Sequence, residues 1–133
     1  MKDVVEVLQA SHVFFVATEG GGAPHVRPFG AVVRHDGRVW FCTGDRKEVA
    51  KQIKANPKIA IAAMAAEPPQ WVRITGTAVF EENQGAKDAM FAHMPQLKEM
   101  YANQMDQFKV FYLKDAAAKL CHIDGSTAEE LAV

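Results

Sequence analysis

The sequence predicts a mainly β fold, a small antiparallel barrel with helices packed against its outside. Short segments of alternating or continuous apolar residues recur at close spacing, and turns rich in glycine or proline separate them. Strands at this spacing favour a barrel over a sandwich. With 133 residues, 49% of them hydrophobic, the chain can bury one core, so we expect a single domain over residues 1–133.

Composition disfavours several classes of protein. The 15 basic and 16 acidic residues give a net charge of -1, which provides no global field for nucleic acid or an anionic membrane. The longest apolar run, residues 59–66, is far too short to span a bilayer. The amino terminus lacks a signal-peptide core, and neither the two cysteines nor the five histidines have metal-ligand spacing. We therefore expect a cytoplasmic protein without a metal.

The first half of the chain is predicted to hold one helix and three antiparallel strands. Val4, Val5 and Leu8 lie on one face of a helix over residues 3–10. A glycine-rich turn at 20–22 and an Asp-Gly turn at 35–37 separate the strands that follow. These strands are predicted over residues 12–19, 24–34 and 38–43.

The second half alternates helices and strands. A helix over 46–55 ends where Asn56 precedes Pro57, because the residue before proline avoids the helical conformation. Strands are predicted over 58–65 and 71–81, around a turn at 67–70, and over 109–113 and 118–123 before a small polar tail. Residues 84–104 are predicted to be helical with a break near Met94-Pro95, and Val72, Ile74 and Ala78 share one strand face.

Cations cluster where the third strand meets the helix, in "FCTGDRKEVAKQIKANP" (residues 41–57). Asp45 and Glu48 have the spacing of a capping box, so we expect Asp45 to cap the helix. A capping carboxylate would occupy the free helix amides, so an anion bound here would be held by side chains. The candidate ligands are Thr43, Arg46 and Lys47, with Gly44 allowing close approach of the backbone. The alternative is an ordinary solvated helix face, to which we assign Lys51 and Lys54.

A second candidate feature is "PHVRPFGAVV" (residues 24–33), where His25, Arg27 and Phe29 share one strand face. Pro28 cannot donate to a sheet ladder, so it marks an edge, a bulge or a ligand contact. Arg27 could pair with a phosphate while Phe29 meets a flat ring, or it could form a local salt bridge at a barrel edge. Trp71 either covers the barrel rim or lies near a bound cofactor, within one subunit or across a dimer interface.

The segments "FFVATEGGGAPHVRPFGAVVRHDGRVWFCTGDRKEVAKQIKANPKIAIAAM" and "WVRITGTAVFE" resemble the pyridoxamine 5'-phosphate oxidase-like FMN-binding split barrels. The likeness is greatest to short bacterial members related to the nitroimidazole-resistance flavoproteins. It implies a six-stranded antiparallel split β-barrel that forms a homodimer with FMN in grooves between the subunits. The residues implied to contact FMN are Arg27, Pro28 and Phe29, the strand-end pair Cys42 and Thr43, and the phosphate-gripping pair Arg46 and Lys47.

Two positions depart from the oxidases within this family. Trp71 stands where they have a glutamine that contacts FMN, so a contact there would be stacking or packing. No arginine follows Arg73, whereas the oxidases hold flavin and the substrate phosphate with an arginine-containing carboxy-terminal segment. We therefore disfavour pyridoxamine-phosphate oxidation, because the second phosphate would lack charge-assisted hydrogen bonds.

The resemblance predicts an FMN-dependent oxidoreductase that passes reducing equivalents from a nicotinamide donor to a small acceptor such as a quinone, nitro compound or flavin. The flavin would carry out the redox chemistry, and no catalytic acid or base can be named. Two alternatives stay open. One is a flavin-binding protein without turnover, acting in electron transfer, storage or stress, and the other is a split barrel that binds deazaflavin or haem.

Overall fold

The computed structural model describes residues 1–65 and 69–133, and its strands form one antiparallel sheet flanked by helices. The strands are β1 (Phe14–Gly20), β2 (Ala23–Phe29), β3 (Val32–His35), β4 (Arg38–Gly44), β5 (Lys58–Met64), β6 (Trp71–Phe80), β7 (Phe108–Cys121) and β8 (Thr127–Leu131). The helices are α1 (Val4–Ser11), α2 (Glu48–Ala55), α3 (Gln84–His93) and α4 (Gln96–Met100), followed by a 3-10 turn at Met105–Gln107.

The sheet is curled into a barrel that is open between two strands. Its order is β2-β1-β5-β6-β7-β4-β3, with β8 paired to β7. The two edge strands, β2 and β3, are consecutive in the chain, and only Gly30 and Ala31 connect them. Since that connection spans at most about 11 Å, the sheet must curl until its edges nearly meet. The predicted antiparallel split β-barrel is therefore confirmed, with eight strands in place of six.

Three predicted strand boundaries are wrong. The predicted strand 24–34 is divided at Gly30, and the two predicted closing strands are one continuous strand, β7. Asp115 adopts a φ of 52° within β7, and the pairing with β6 shifts register around Gly76, so a bend replaces the predicted break. The small polar tail, for which the sequence predicts no strand, contains β8. Pairing with a neighbouring strand overrides weak intrinsic β propensity in both segments.

Other predicted elements are confirmed. α1 buries Val4, Val5 and Leu8, and the helical region after residue 84 breaks at Met94-Pro95. The predicted alternation in β6 is observed, with three buried positions: Val72, Ile74 and Ala78. α2 ends at Ala55, just before Asn56-Pro57. Residues 67 and 68 of the predicted turn at 67–70 lie outside the described part of the chain.

Two clusters of buried side chains form the core. The larger fills the barrel and includes Phe14, Phe41 and Phe111, with the Phe41 and Phe111 rings stacked at 5.4 Å between centroids. The smaller cluster packs α3 and α4 against the sheet around Trp40 and Phe108. The split between β2 and β3 lies at the seam of these clusters, because Phe29 packs on the larger one and Ala31 belongs to the smaller.

Asp3 connects the amino-terminal helix to the sheet. Its Oδ1 accepts a hydrogen bond from Val5 N at 2.9 Å, which caps α1, and its carboxylate pairs with Arg34 Nη2 at 2.6 Å and Nε at 2.8 Å. The hydrogen bond from Arg34 is the largest cause that lowers the pKa of Asp3. A carboxyl whose pKa is lower in the folded than in the unfolded state stabilises the fold above the unfolded pKa, and this contribution is lost as pH falls.

We expect Asp3→Asn, which keeps a capping oxygen, to lower the free energy of unfolding by about 1 kcal/mol at neutral pH. The deficit should shrink as pH falls below about 4, where the wild-type carboxylate takes up a proton. Urea denaturation of both proteins across this pH range measures it. An equal deficit at low and neutral pH would assign the loss to the cap and not to the ion pair.

Candidate functional site

A cleft of about 180 Å³ opens at the seam between the two core clusters. The end of β2, the Gly30-Ala31 connection, the end of β4 and the start of α2 supply its walls, together with α4 and the residues that flank it. It brings together six of the eight residues singled out in the sequence: Arg27, Pro28, Phe29, Cys42, Thr43 and Lys47. Arg27 and Cys42, which are 15 positions apart in the chain, thus line the same cleft because β2 and β4 both end at this side of the barrel.

The other two residues lie elsewhere. Arg46 lines an adjoining cleft of about 220 Å³ that shares Lys47, Met100 and Tyr101 with the first. Trp71 begins β6, which β1 and β5 separate from β2 in the sheet. Its indole Nε1 donates to the carbonyl of His122 at 3.2 Å. Trp71 is not among the residues that line either cleft.

Arg27 carries a positive charge that has only neutral partners. β2 is a sheet edge, as Pro28 predicts, and its alternation turns Arg27 inward and Pro28 outward. The guanidinium donates to Thr18 Oγ1 at 2.7 Å, to Gln52 Oε1 at 2.6 Å and to the carbonyl of Val16 at 3.3 Å. Among residues 1–65 and 69–133 it has no acidic partner, so the local salt bridge considered above does not form. Burial lowers the pKa of Arg27, but arginine remains charged at neutral pH.

The start of α2 differs from the predicted capping box. The helix begins at Glu48, and its N-cap residue is Lys47, whose side chain makes no capping hydrogen bond. Asp45 instead pairs with Lys54, which lowers the pKa of that carboxyl, while the Lys54 side chain stays 51% exposed as predicted. A tight turn explains the shift, because Lys47 N donates to the carbonyl of Gly44 at 3.0 Å. The prediction that Asp45 caps this helix is wrong.

This correction changes what can hold an anion. The first amides of α2 have no side-chain cap, and Lys47 and Val49 from the same turn line the cleft. Uncapped amides at a helix amino terminus favour negative charge. Backbone donors are thus available beside the cationic side chains of Lys47 and Arg46, neither of which has an acidic partner in the described part of the chain.

Cys42 and Tyr101 lie side by side in the cleft wall. Burial raises the pKa of Cys42 to about 12, against the opposing charge of Lys47, so the thiol stays protonated at neutral pH. A protonated thiol is a poor nucleophile. Burial is the largest cause that raises the pKa of Tyr101, and the neighbouring Cys42 is the second. Gly44 makes room for this tyrosine, since a Cβ at that position would lie 3.0 Å from the phenol oxygen.

Several site residues escape sequence reasoning. Thr18 and Gln52 hold Arg27, and four residues from the α3–α4 region line the cleft: Met94, Leu97, Met100 and Tyr101. The apolar ones have the helical spacing of ordinary core residues, which carries no signal of a site. Thr18 does carry such a signal, because its hydroxyl lies at an inward strand position that follows Phe14 and Val16, and the residue is only 5% exposed.

The curled sheet and the cleft at its split define the class of protein as a split barrel. The chain belongs to the pyridoxamine 5'-phosphate oxidase family, whose family model matches residues 1–120. The structure is similar to that of a NimC/NimA family protein from Clostridium acetobutylicum, with 32% sequence identity, a TM-score of 0.84, and coverage of 92% of this chain and 88% of that one. The resemblance to short bacterial members related to nitroimidazole resistance is confirmed.

Two more distant structures share the fold. General Stress Protein 26 from Bacillus anthracis is 14% identical with a TM-score of 0.71, and the match covers 98% of this chain and 95% of that one. A protein from Mesorhizobium loti described as FAD-binding is 14% identical with a TM-score of 0.62, covering 85% and 88%. Among curated proteins, none matches significantly.

Within residues 1–65 and 69–133, the helices are too short or too polar to span a membrane. No group of three or more His, Cys, Asp or Glu side chains in the same residues is placed to hold a metal ion.

Proposed function

We propose that the chain binds FMN at this cleft and acts as an oxidoreductase that passes reducing equivalents from a nicotinamide donor to a small acceptor. The observation that carries the proposal is the convergence of Arg27, Arg46 and Lys47 on two adjoining clefts without an acidic partner in the described residues. Unpaired cations beside uncapped helix amides suit a phosphate group. Membership of the family and the likeness to an FAD-binding protein support a flavin as its carrier.

The size of the cleft supports a site shared between two copies of the chain. Pockets for ligands of cofactor size usually measure about 300–1,000 Å³. The main cleft measures about 180 Å³, which suits the phosphate end of FMN but not the whole molecule. A second protomer would supply the remaining wall.

An outward apolar face next to the cleft suits that second copy. It spans β2, β1, β5 and β6 and includes Phe15, Val26 and Met64, which are 48%, 67% and 54% exposed. The strand register places Phe15 between Pro28 and Ala62, so the face continues to Pro28 in the cleft wall. Apolar faces of this kind mark interaction sites in soluble proteins. We infer that the chain forms a homodimer through this face. Trp71, at the start of β6, would then lie next to the partner.

The bound flavin would supply hydride acceptance and single-electron transfer. Arg27, Arg46 and Lys47 would hold its phosphate and other polar groups, while Phe29, Pro28 and the protonated Cys42 would pack beside it. No Asp, Glu or His lines the main cleft within the described residues. The side chains that do line it would bind and orient the flavin and exclude water from it.

The absorbance spectrum of the purified protein tests the proposal. We expect a yellow protein with flavin-type absorbance, or one that acquires it on addition of FMN, which bleaches anaerobically with NADH or NADPH and recovers with a quinone or nitro compound. A Soret band, or no chromophore after FMN is added, would overturn FMN binding. Retained flavin that neither nicotinamide bleaches would favour the alternative of a flavin carrier without turnover.

A further inference from the structure

Two neutral side chains from different elements hold the Arg27 guanidinium. Thr18 lies on β1 and Gln52 on α2, and the Thr18 hydroxyl donates to Gln52 Oε1 at 2.6 Å while it accepts from Arg27 Nη1 at 2.7 Å. Gln52 Oε1 also accepts from Arg27 Nη2 at 2.6 Å. The three side chains thus form a closed triangle of hydrogen bonds that contains one charge and no counter-charge.

The geometry of this triangle determines which edge of the guanidinium is used. The two accepting oxygens are 2.6 Å apart and each binds a different terminal nitrogen of Arg27. The edge between Nη1 and Nη2 is the one whose two N–H groups come from both terminal nitrogens, so Thr18 and Gln52 occupy it. The second Nη1 proton goes to the carbonyl of Val16. The other edge, formed by Nε and the remaining Nη2 proton, has no hydrogen bond within residues 1–65 and 69–133.

The free edge is a bidentate donor beside the cleft that Arg27 lines. A guanidinium edge of this kind matches two oxygens of a phosphate or another planar or tetrahedral anion. An acidic residue at position 52 would hold Arg27 equally well but would neutralise its charge. A neutral amide fixes the side chain and leaves the full charge for a ligand.

We propose that Gln52 and Thr18 are positioning residues that fix Arg27 and keep its charge available to the anionic group of the bound nucleotide. This inference rests on the proposed function, since it assigns the free edge of Arg27 to the FMN phosphate. Gly20 belongs to the same arrangement, because a Cβ there would lie 2.8 Å from Cγ of Gln52 and displace it.

The dissociation constants of FMN and riboflavin, which differ only by the phosphate, measure the effect. For Gln52→Glu, we expect FMN to bind at least about 10-fold more weakly and riboflavin to change less than about 3-fold, because only FMN loses a charge-assisted contact. Gln84→Glu is the matched control, since it makes the same charge change at an exposed position of α3. Gly20→Ala, which displaces Gln52 without adding a charge, should weaken FMN in the same selective way.

The variants separate this inference from the proposed function. Wild-type protein that shows no preference for FMN over riboflavin would overturn both. A wild-type preference that survives unchanged in Gln52→Glu and Gly20→Ala would overturn the positioning role alone. In an Arg27→Ala background, Gln52→Glu should cause no further loss of FMN preference, and a persisting loss would also contradict the inference because it could not act through Arg27.

Discussion

Replacing Arg46 and Lys47 together with alanine is expected to abolish retention of FMN during purification. Both side chains are exposed, lie at the turn that precedes α2 and line the adjoining clefts. A hydrogen bond to a charged group contributes about 1.5–3 kcal/mol, so losing two lowers affinity by about 10²–10⁴-fold. Flavin content after gel filtration and a fluorescence titration with FMN measure the loss.

The matched control removes two lysines far from the clefts. Lys2→Ala with Lys114→Ala makes the same change in net charge, and both side chains are exposed and lie outside the proposed dimer face. This control should keep the wild-type affinity for FMN. Neither Arg46 nor Lys47 forms an ion pair within the described residues, so circular dichroism of the double variant should match wild type. Unchanged FMN affinity in the Arg46 and Lys47 variant would refute the phosphate assignment.

Ala62→Arg is expected to turn the proposed dimer into a monomer and to lose the flavin with it. Ala62 is exposed on β5 at the centre of the apolar face, where the register places it between Phe15 and Arg73. A charge there would enter the proposed interface beside the like charge of Arg73, and two-fold symmetry would introduce it twice. Like charges brought together in an interface cost several kcal/mol, so the dimer dissociation constant should rise by about 10³-fold.

Sedimentation equilibrium with and without FMN checks this expectation, and Ala102→Arg is its control. Ala102 is exposed after α4 and lies outside the apolar face, so the same charge there should leave the mass unchanged. A dimer that survives Ala62→Arg would contradict the proposed face. A monomeric Ala62→Arg protein that still binds FMN tightly would show that one protomer completes the site alone.

Much of the candidate site was predictable because its chemistry is local. Pro28 marks an edge strand since proline has no N–H for a ladder, and that constraint holds in any tertiary setting. The alternation of β2 turns Arg27 inward, and the ends of β2 and β4 bring Cys42, Thr43 and Lys47 to the same cleft. These residues follow from strand periodicity and from the family resemblance together.

The capping of α2 was not predictable from spacing. Asp45 and Glu48 stand three residues apart, yet the chain turns at Gly44 and the helix begins later, at Glu48. Lys54, two helical turns away, forms an ion pair with the Asp45 carboxylate in place of the cap. Spacing along the chain indicates which residue could cap the helix. Whether its carboxylate accepts a hydrogen bond from a backbone amide or from a distant ammonium depends on how the helix packs against the barrel.

The sequence by itself determined the class of fold, the strand faces and the residue types at the cleft, because side-chain alternation, turn chemistry and proline geometry are properties of neighbouring residues. Only the tertiary structure decided that β2 and β3 separate at Gly30, that β7 is continuous, and that Gln52 reaches Arg27 from another element. It also decided that Trp71 lies three strands from β2. These features depend on contacts between segments that are far apart in the chain. Local sequence patterns are compatible with several arrangements of those segments, and the energies of the contacts select one of them.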